Sequence, residues 1–450
     1  MFKRTLFIFR RDLRLHDNTG LLAAMSSSAS VIPLFIIDPK LIDRYDAVYR
    51  KTFLAQSLFD LDQEVRKHGG SLAIQEGNPP QLLAQLLQQA DIDAVFVNRD
   101  YTPVSRDRDR KLKAVCESAG VVFEQYGDQL LNEPEQVTKS DGSPYLVFTP
   151  YYRKAREHLV HPPDQRQRWH FETTVDSDLR ESSLATYLDR SLSLQAGGSG
   201  AYKALSGLAD LNHYVETRDL PGTDGTSRLS AHLRFGTCSI REVFHSLQQS
   251  LPEPETLQRQ LYWRDFYHHI GHHFPHVYRR AFRPKYDDLQ WDENPEALES
   301  WCQGKTGFPI VDAGMRELAA TGFMHNRVRM ITASFLTKNL HIDWRQGESH
   351  FARLLIDFDP ALNNGNWQWS ASTGCDAQPY FRVFNPWRQQ RRFDKDCSYI
   401  KQWIPELADR SAKEIHALEK TGNFYLPQIT DLRRSAEESK HRFKKLAAAH

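Results

Sequence analysis

TFLAQSLFDLDQEVRKHGGSLAIQEGNPPQLLAQLLQQADIDAVFV, residues 52–97, sets how the first part of this chain folds. Phe53, Leu54, Leu58, Leu61 and Val65 recur at helical spacing and share one face of Thr52–Lys67. Gly69 and Gly70 end that helix, because glycine takes the left-handed backbone without steric cost. Leu72–Ile74 is apolar and too short for a helix. Pro79 and Pro80 open a second helix over Gln81–Gln89, at a position where a missing N–H costs nothing. Ala94–Val97 is another short, Val-rich run. Helix and strand in alternation predict a parallel sheet covered on both faces.

The same pattern extends outward to strands over Thr5–Phe9, Val31–Ile37 and Val121–Glu124. Residues 1–130 therefore read as a Rossmann-like α/β domain. From Gly127 to Ser199 the periodicity fails, and Pro134, Pro144, Pro150, Pro162 and Pro163 interrupt a polar stretch. Residues 131–199 read as a connector, long enough that it should be packed and not free. Gly197, Gly198 and Gly200 lack the G-x-G-x-x-G spacing after a strand and read as a loop leading into a helix. Beyond residue 200 strand signals fade. Leu257–Ile270, Ile310–Ala320, Arg327–Thr337 and Ser349–Ile356 all carry the 3.6-residue period, so residues 200–450 form an all-α domain.

At 450 residues the chain exceeds one ordinary core, which agrees with two domains. With 40% hydrophobic and 26% charged residues it reads as a soluble globular protein. The formal charge of +1 supplies no global field for nucleic acid, so any such affinity must come from a local basic patch. Five scattered cysteines without C-x-x-C spacing point to reduced thiols, with no metal site. The apolar run in MFKRTLFIFRRDLR is too short for a secretory signal, and no window suits a membrane helix. The expectation is a cytoplasmic protein.

Four segments carry chemistry. Gly225-Thr226-Ser227-Arg228-Leu229-Ser230, before a helical run, offers backbone N–H groups, hydroxyls and a guanidinium to a phosphate; its bland alternative is a plain helix cap. In TGFMHNRVRMITASFLTKNLHIDWR (321–345), Asn326, Arg329 and Met330 fall at i, i+3 and i+4 on one helix face, an odd set for pure core. LIDFDPALNNGNWQW (355–369) places Asp357, Asp359, Asn363, Asn364, Trp367 and Trp369 around what reads as a glycine turn. It is either a capped turn or a polar clamp on the edge of a flat ligand. PYFRVFNPWRQQRRFDK (379–395) interleaves Arg382, Arg388, Arg391, Arg392 and Lys395 with aromatics, a mixture suited to a phosphate backbone and unstacked bases.

FRRDLRLHDN (9–18), GTSRLS (225–230), WRDFY (263–267) and KTGFPIVDAGMREL (305–318) resemble the photolyase/cryptochrome family. So do TGFMHNRVRMITASFL (321–336), NNGNWQWSASTGCDAQPYFRVFNP (363–386) and WIPEL (403–407). The resemblance spans nearly the whole chain and is closest to the class I cyclobutane pyrimidine dimer photolyases. It implies that the helical domain holds FAD. Tyr214, Thr226, Ser227, Arg228, Leu229 and Ser230 then lie toward the phosphates, and Asn326, Arg329, Asp357, Asp359 and Asn363 at the ring. Arg329 and Asp357 are expected to pair. Trp291, Trp344 and Trp367 match the family's electron-transfer chain. Gln260, Trp263, Asn326, Met330 and Trp369 match its dimer pocket, and Arg218, Arg264, Arg327 and Arg382 its DNA-facing cations. The implied reaction flips the dimer out of UV-damaged DNA, single- or double-stranded, and splits it with an electron from excited reduced FAD.

Two departures qualify this. The cyclobutane-dimer enzymes resemble one another in a Glu where this chain has Gln260, and 6-4 photolyases have Gln there. Against 6-4 repair, Asn326 and Met330 replace the histidines that protonate that lesion. The folate-binding members carry an acidic residue near Arg106, which disfavours folate as a second, antenna chromophore and leaves a deazaflavin, a second flavin or an empty site. Asn363, the arginine-rich fourth segment and the lack of a long disordered tail favour repair over a cryptochrome photosensor. A monomer without membrane attachment is expected.

Overall fold

The computed structural model describes residues 1–165, 168–173 and 179–449 of the chain. The connector's residues 166–167 and 174–178 lie outside them. The chain forms two compact units, Met1–Asn212 with Ser227–Pro275, and His213–Thr226 with His276–His450.

In the first unit all five expected strands form: β1 Phe2–Phe9, β2 Ser28–Ile37, β3 Ala73–Glu76, β4 Ala94–Asn98 and β5 Val122–Tyr126. They pair in parallel in the order β3-β2-β1-β4-β5. Helices Val48–Lys67, Pro79–Gln89 and Pro103–Ser118 link successive strands, the second capped by the Asn78 side chain as its proline start requires. One core layer joins Leu6, Ile8, Ile32, Leu34, Val95 and Val97 to Leu83, Leu112 and Cys116. Pro33 sits inside β2 without loss. Val31 turns its N–H and C=O to the sheet edge, where they bond His170 and Glu172, and Pro33 faces that same edge before β3 pairing begins at Leu34.

That bridge shows how the connector is packed. Phe171 pairs with Val31, the helix Phe148–Ala155 forms, and Val137, Phe148, Tyr151, Ala155 and Leu184 are buried. The first-strand motif is largely structural: Asn98 Nδ2 donates to Asp12 Oδ2 (2.6 Å) and Asn18 Oδ1 (2.7 Å), tying the ends of β1 and β4. Gly197, Gly198 and Gly200 form the first turn of the helix Gly197–Ser206, where a Cβ on Gly200 would stand 2.1 Å from the Gln195 carbonyl. Among the described residues no helix is long and apolar enough to cross a membrane.

The second unit is helical, with Pro309–Thr321, Asn326–Lys338, Trp344–Leu354, Pro360–Ala371, Pro386–Phe393 and Leu432–Ala449 as its main elements. Two expectations need correction. Residues 363–366 do not turn around Gly365, because Asp359 caps a helix that runs unbroken from Pro360 to Ala371. The helix expected over Ser349–Ile356 begins five residues earlier, at Trp344, where Asp343 accepts from the Arg345 N–H, and it ends at Leu354.

Candidate active site

The helix Asn326–Lys338 starts where the His325 ring accepts from the Arg327 N–H. Asn326 and Met330 share a face as their spacing predicts, with Nδ2 3.8 Å from the sulfur. Their neighbours Val328 and Ile331 are buried, whereas Asn326 is exposed and Met330 half-buried. This is therefore a presented pair and not core filler. Arg329 turns toward Asp357, forming two parallel bonds at 3.1 and 2.9 Å, while its Nε donates to the Met324 carbonyl (2.7 Å). The Asp357 side chain is only 7% exposed, and the guanidinium balances the charge that burial would otherwise disfavour.

Asp359 does what the bland account requires and accepts from the Ala361 and Leu362 N–H groups. One turn on, Asn363 directs its NH2 to the Glu348 carbonyl (3.1 Å), leaving its oxygen as the end that can accept from a ligand N–H. Trp367 is buried between Trp301 and Phe351, at centroid distances of 6.1 and 5.0 Å. It fits against the helix Trp344–Leu354 only because residue 347 is glycine: a Cβ there would stand 2.1 Å from the indole. Trp344 is also buried, three residues before Gly347, and Trp291 is half-buried. Trp291 adjoins Asp292, whose N–H bonds the His341 carbonyl shortly before Trp344. Trp369 is half-buried.

In the first unit, Trp263 lies flat on Phe148, with ring centroids 3.6 Å apart and planes 9° apart, and meets Phe266 edge-on. Gln260, one turn earlier, donates to its own helix at the Thr256 carbonyl (3.3 Å). Arg228 has φ of 49°, a left-handed conformation rare outside glycine and a frequent mark of functional strain. Leu229 is buried, while Arg228 and Ser230 are exposed. The helix after them is short, Ser230–Phe235, and no side chain caps it. In the second unit, Arg218 lies over the Tyr214 ring (5.3 Å) and Thr226 is half-buried.

The arginines expected at DNA divide. Arg382 is exposed. Arg327 pairs with Asp219 (2.7 Å) and lies over Phe393. Arg264 needs correction: it is buried and donates to the Gln129 and Leu233 carbonyls, so its guanidinium serves the protein's own backbone. In the fourth segment Trp387 is likewise core, buried against Phe308, and Arg391 pairs with Glu419 (2.7 Å).

A second cluster lies where the strand order reverses between β1 and β4, the usual ligand crevice of such sheets. Arg10 pairs with Asp109 there, and its Nε and Nη2 are buried without a partner. Burial, reinforced by Arg108, pushes the Arg10 pKa down. Burial alone would raise Asp100, but Arg11, Arg108 and Arg10 together hold it well below the usual carboxylate range. Arg106 is exposed in the first turn of Pro103–Ser118.

Three contributors were not visible in the sequence. Phe148 lies in the aperiodic connector, Gly347 sits in an unremarkable helical stretch, and Arg10 looked like one more basic residue of its motif. Only the fold brings each to its partner.

Residues 5–167 match the DNA photolyase family and residues 256–445 match the FAD binding domain of DNA photolyase. A deoxyribodipyrimidine photo-lyase of Synechococcus sp. is 38% identical over 433 residues, covering 91% of this chain and 89% of that protein. The chain belongs to the DNA photolyase family. Among solved structures, a bacterial class III photolyase from Agrobacterium tumefaciens superimposes with a TM-score of 0.91 at 33% identity, covering 100% of this chain and 98% of that one. An archaeal photolyase from Sulfolobus tokodaii, solved with two FAD molecules, gives 0.89 at 38% identity, covering 98% and 100%. Within this family the donor sets above suit FAD: hydroxyls, backbone N–H groups and a guanidinium for phosphates, and a neutralised Arg–Asp pair with an amide acceptor for a ring edge. The unpartnered Arg10 donors suit a polar group of a second chromophore.

Proposed function

We propose that this protein repairs cyclobutane pyrimidine dimers in DNA with light. The observation that carries the reading is the presented Asn326–Met330 pair, which offers a lesion an amide and a soft apolar contact but no proton donor of histidine type. When bound, reduced FAD supplies on excitation the electron that splits the dimer, and takes it back afterwards. Tyr214, Thr226, Ser227, Arg228, Leu229 and Ser230 bind its phosphate side, and Asn326, Arg329, Asp357, Asp359 and Asn363 its ring. Arg329 and Asp357 bring almost no net charge to the ring edge. Asn363 accepts a hydrogen bond there without adding a second anion. Trp263, held flat by Phe148, and Trp369 offer aromatic surface to the flipped bases, and Gln260 offers an amide to a base carbonyl. Trp367, Trp344 and Trp291, two buried and one half-buried, relay electrons inward when the flavin must be reduced.

Residues 1–130 carry the second chromophore, a deazaflavin or a flavin, at the Arg10 cluster; residues 131–199 connect them to the FAD-binding part, residues 200–450. The protein acts as a monomer on single- or double-stranded damaged DNA, in the cytoplasm or at the nucleoid. Two oligonucleotides test the lesion assignment, one bearing a cyclobutane thymine dimer and one a 6-4 photoproduct, each illuminated with reduced protein and kept in darkness. Light-dependent loss of the cyclobutane lesion is the expected result. Repair of the 6-4 product alone would give Gln260 the greater weight, and repair of neither, with FAD photoreducible, would make the protein a photosensor.

A further inference from the structure

Asn326, Met330, Ser334 and Lys338 follow one another at i+4 spacing along a single ridge of their helix. The first two are the presented pair. The last two are fully buried, and both hold the segment 372–384 that follows Trp369 and carries the exposed Phe381 and Arg382. At its start, the Lys338 amine donates to the Ala371 carbonyl (3.1 Å) and the Ser372 hydroxyl (2.9 Å), where Ser372 takes the left-handed backbone that ends the helix. At its end, the Phe384 N–H donates to Ser334 Oγ (3.4 Å). In its middle, Tyr380 stacks on Phe443 (5.4 Å, 7°), and the Lys338 nitrogen lies 3.9 Å from the centroid of that same ring. Among the described residues no carboxylate pairs with this buried lysine, and such a group is costly to keep, so the arrangement calls for a purpose. Charged or neutral, its amine is a donor to both acceptors.

We infer that Lys338 and Ser334 are positioning residues for DNA binding: they clamp the loop 372–384 to the helix that carries Asn326 and Met330, setting the reach of Arg382 relative to the lesion contacts. The inference rests on the DNA-repair reading above. Neither residue touches DNA or flavin in this scheme. Their effect passes through the loop, so it should appear in binding and not in the light-driven step.

The test uses the full FAD-loaded protein and a dimer-bearing oligonucleotide. Lys338→Met keeps the length and apolar stem and removes the donors. It should raise Kd about tenfold, while FAD content and repair per absorbed photon at saturating DNA stay at the wild-type level. Ser334→Ala should raise Kd two- to threefold. The deciding measurement is the pair with Arg382→Ala: if Lys338 acts through this loop, Lys338→Met costs little further affinity once Arg382 is gone. Equal loss in both backgrounds, an unchanged Kd, or a loss of FAD that accounts for the whole effect overturns the inference. If Lys338→Met does not fold, Ser334→Ala decides in the same double-variant scheme, and an unchanged Kd there overturns it. Failure of the wild-type protein to bind or repair the dimer would instead sink the repair reading itself.

Discussion

The Asp357 side chain loses nearly all contact with water, and its paired bonds from Arg329 make this tolerable. Arg329→Gln strands that carboxylate and should cost about 3 kcal/mol of stability, seen in urea unfolding together with loss of bound FAD. Asp357→Asn leaves a guanidinium that still reaches water and should cost less. Gln260 spends one N–H on its own helix, which leaves its second N–H for a base carbonyl in the proposed pocket. Gln260→Glu should keep or raise cyclobutane repair, measured as dimer loss per photon, since losing or gaining one such contact is worth about 1–2 kcal/mol. A complete loss of repair would mean the pocket has been misread. At this scale the sequence revealed side-chain chemistry but not environment. Asn326, Arg329 and Met330 could be grouped by spacing alone. Arg264 looked like a DNA-facing cation because nothing in WRDFY marks which arginine the fold will bury.

Helices decide how tightly the tryptophans pack. Gly347 leaves room for the Trp367 indole against Trp344–Leu354, and Gly347→Ala should push the two helices apart at a cost of about 1–3 kcal/mol, read from the denaturant midpoint. Trp367→Phe is a gentler probe of the same contact. It should slow light-driven reduction of oxidised FAD strongly while protein reduced beforehand still repairs, and equal losses in both assays would remove Trp367 from the relay. The sequence misplaced two boundaries here for identifiable reasons. Asn363-Asn364-Gly365 has the composition of a turn, yet Asp359 and Pro360 start a helix upstream, and buried contacts carry it through the glycine. Trp344–Gln346 fell outside the apolar period, although Asp343 is a legible cap. The five strands were found because short Val- and Ile-rich runs between glycines and prolines have few other uses.

At the scale of the molecule, charge and pH come forward. The total charge is close to zero, so DNA affinity must rest on a few exposed cations. Arg382→Ala should weaken binding to any sequence and flatten the plot of log K against log salt by about 0.9. Inside the first unit, burial pushes the Asp265 carboxyl up to about 8, against the opposing pull of Arg264 and the Asn132 N–H. A raised folded-state value makes the acid protonated when folded and ionised when unfolded. Its contribution is neutral below about pH 4, falls as pH climbs toward 8, and is constant above. Asp265→Asn should flatten the decline of Tm over that window. The two-part character of the chain was legible in its change of periodicity, but the place of residues 227–275 was not: they share the helical period of the second part, and only contacts between distant segments group them with the first unit. Residues 213–226, by contrast, belong with the second unit, although the first resumes at Ser227 and ends at Pro275. During synthesis, therefore, the first unit cannot close when its sheet is complete. Its remaining contacts wait until residue 275 has left the ribosome, and the 14-residue excursion His213–Thr226 emerges before the rest of the second unit is made.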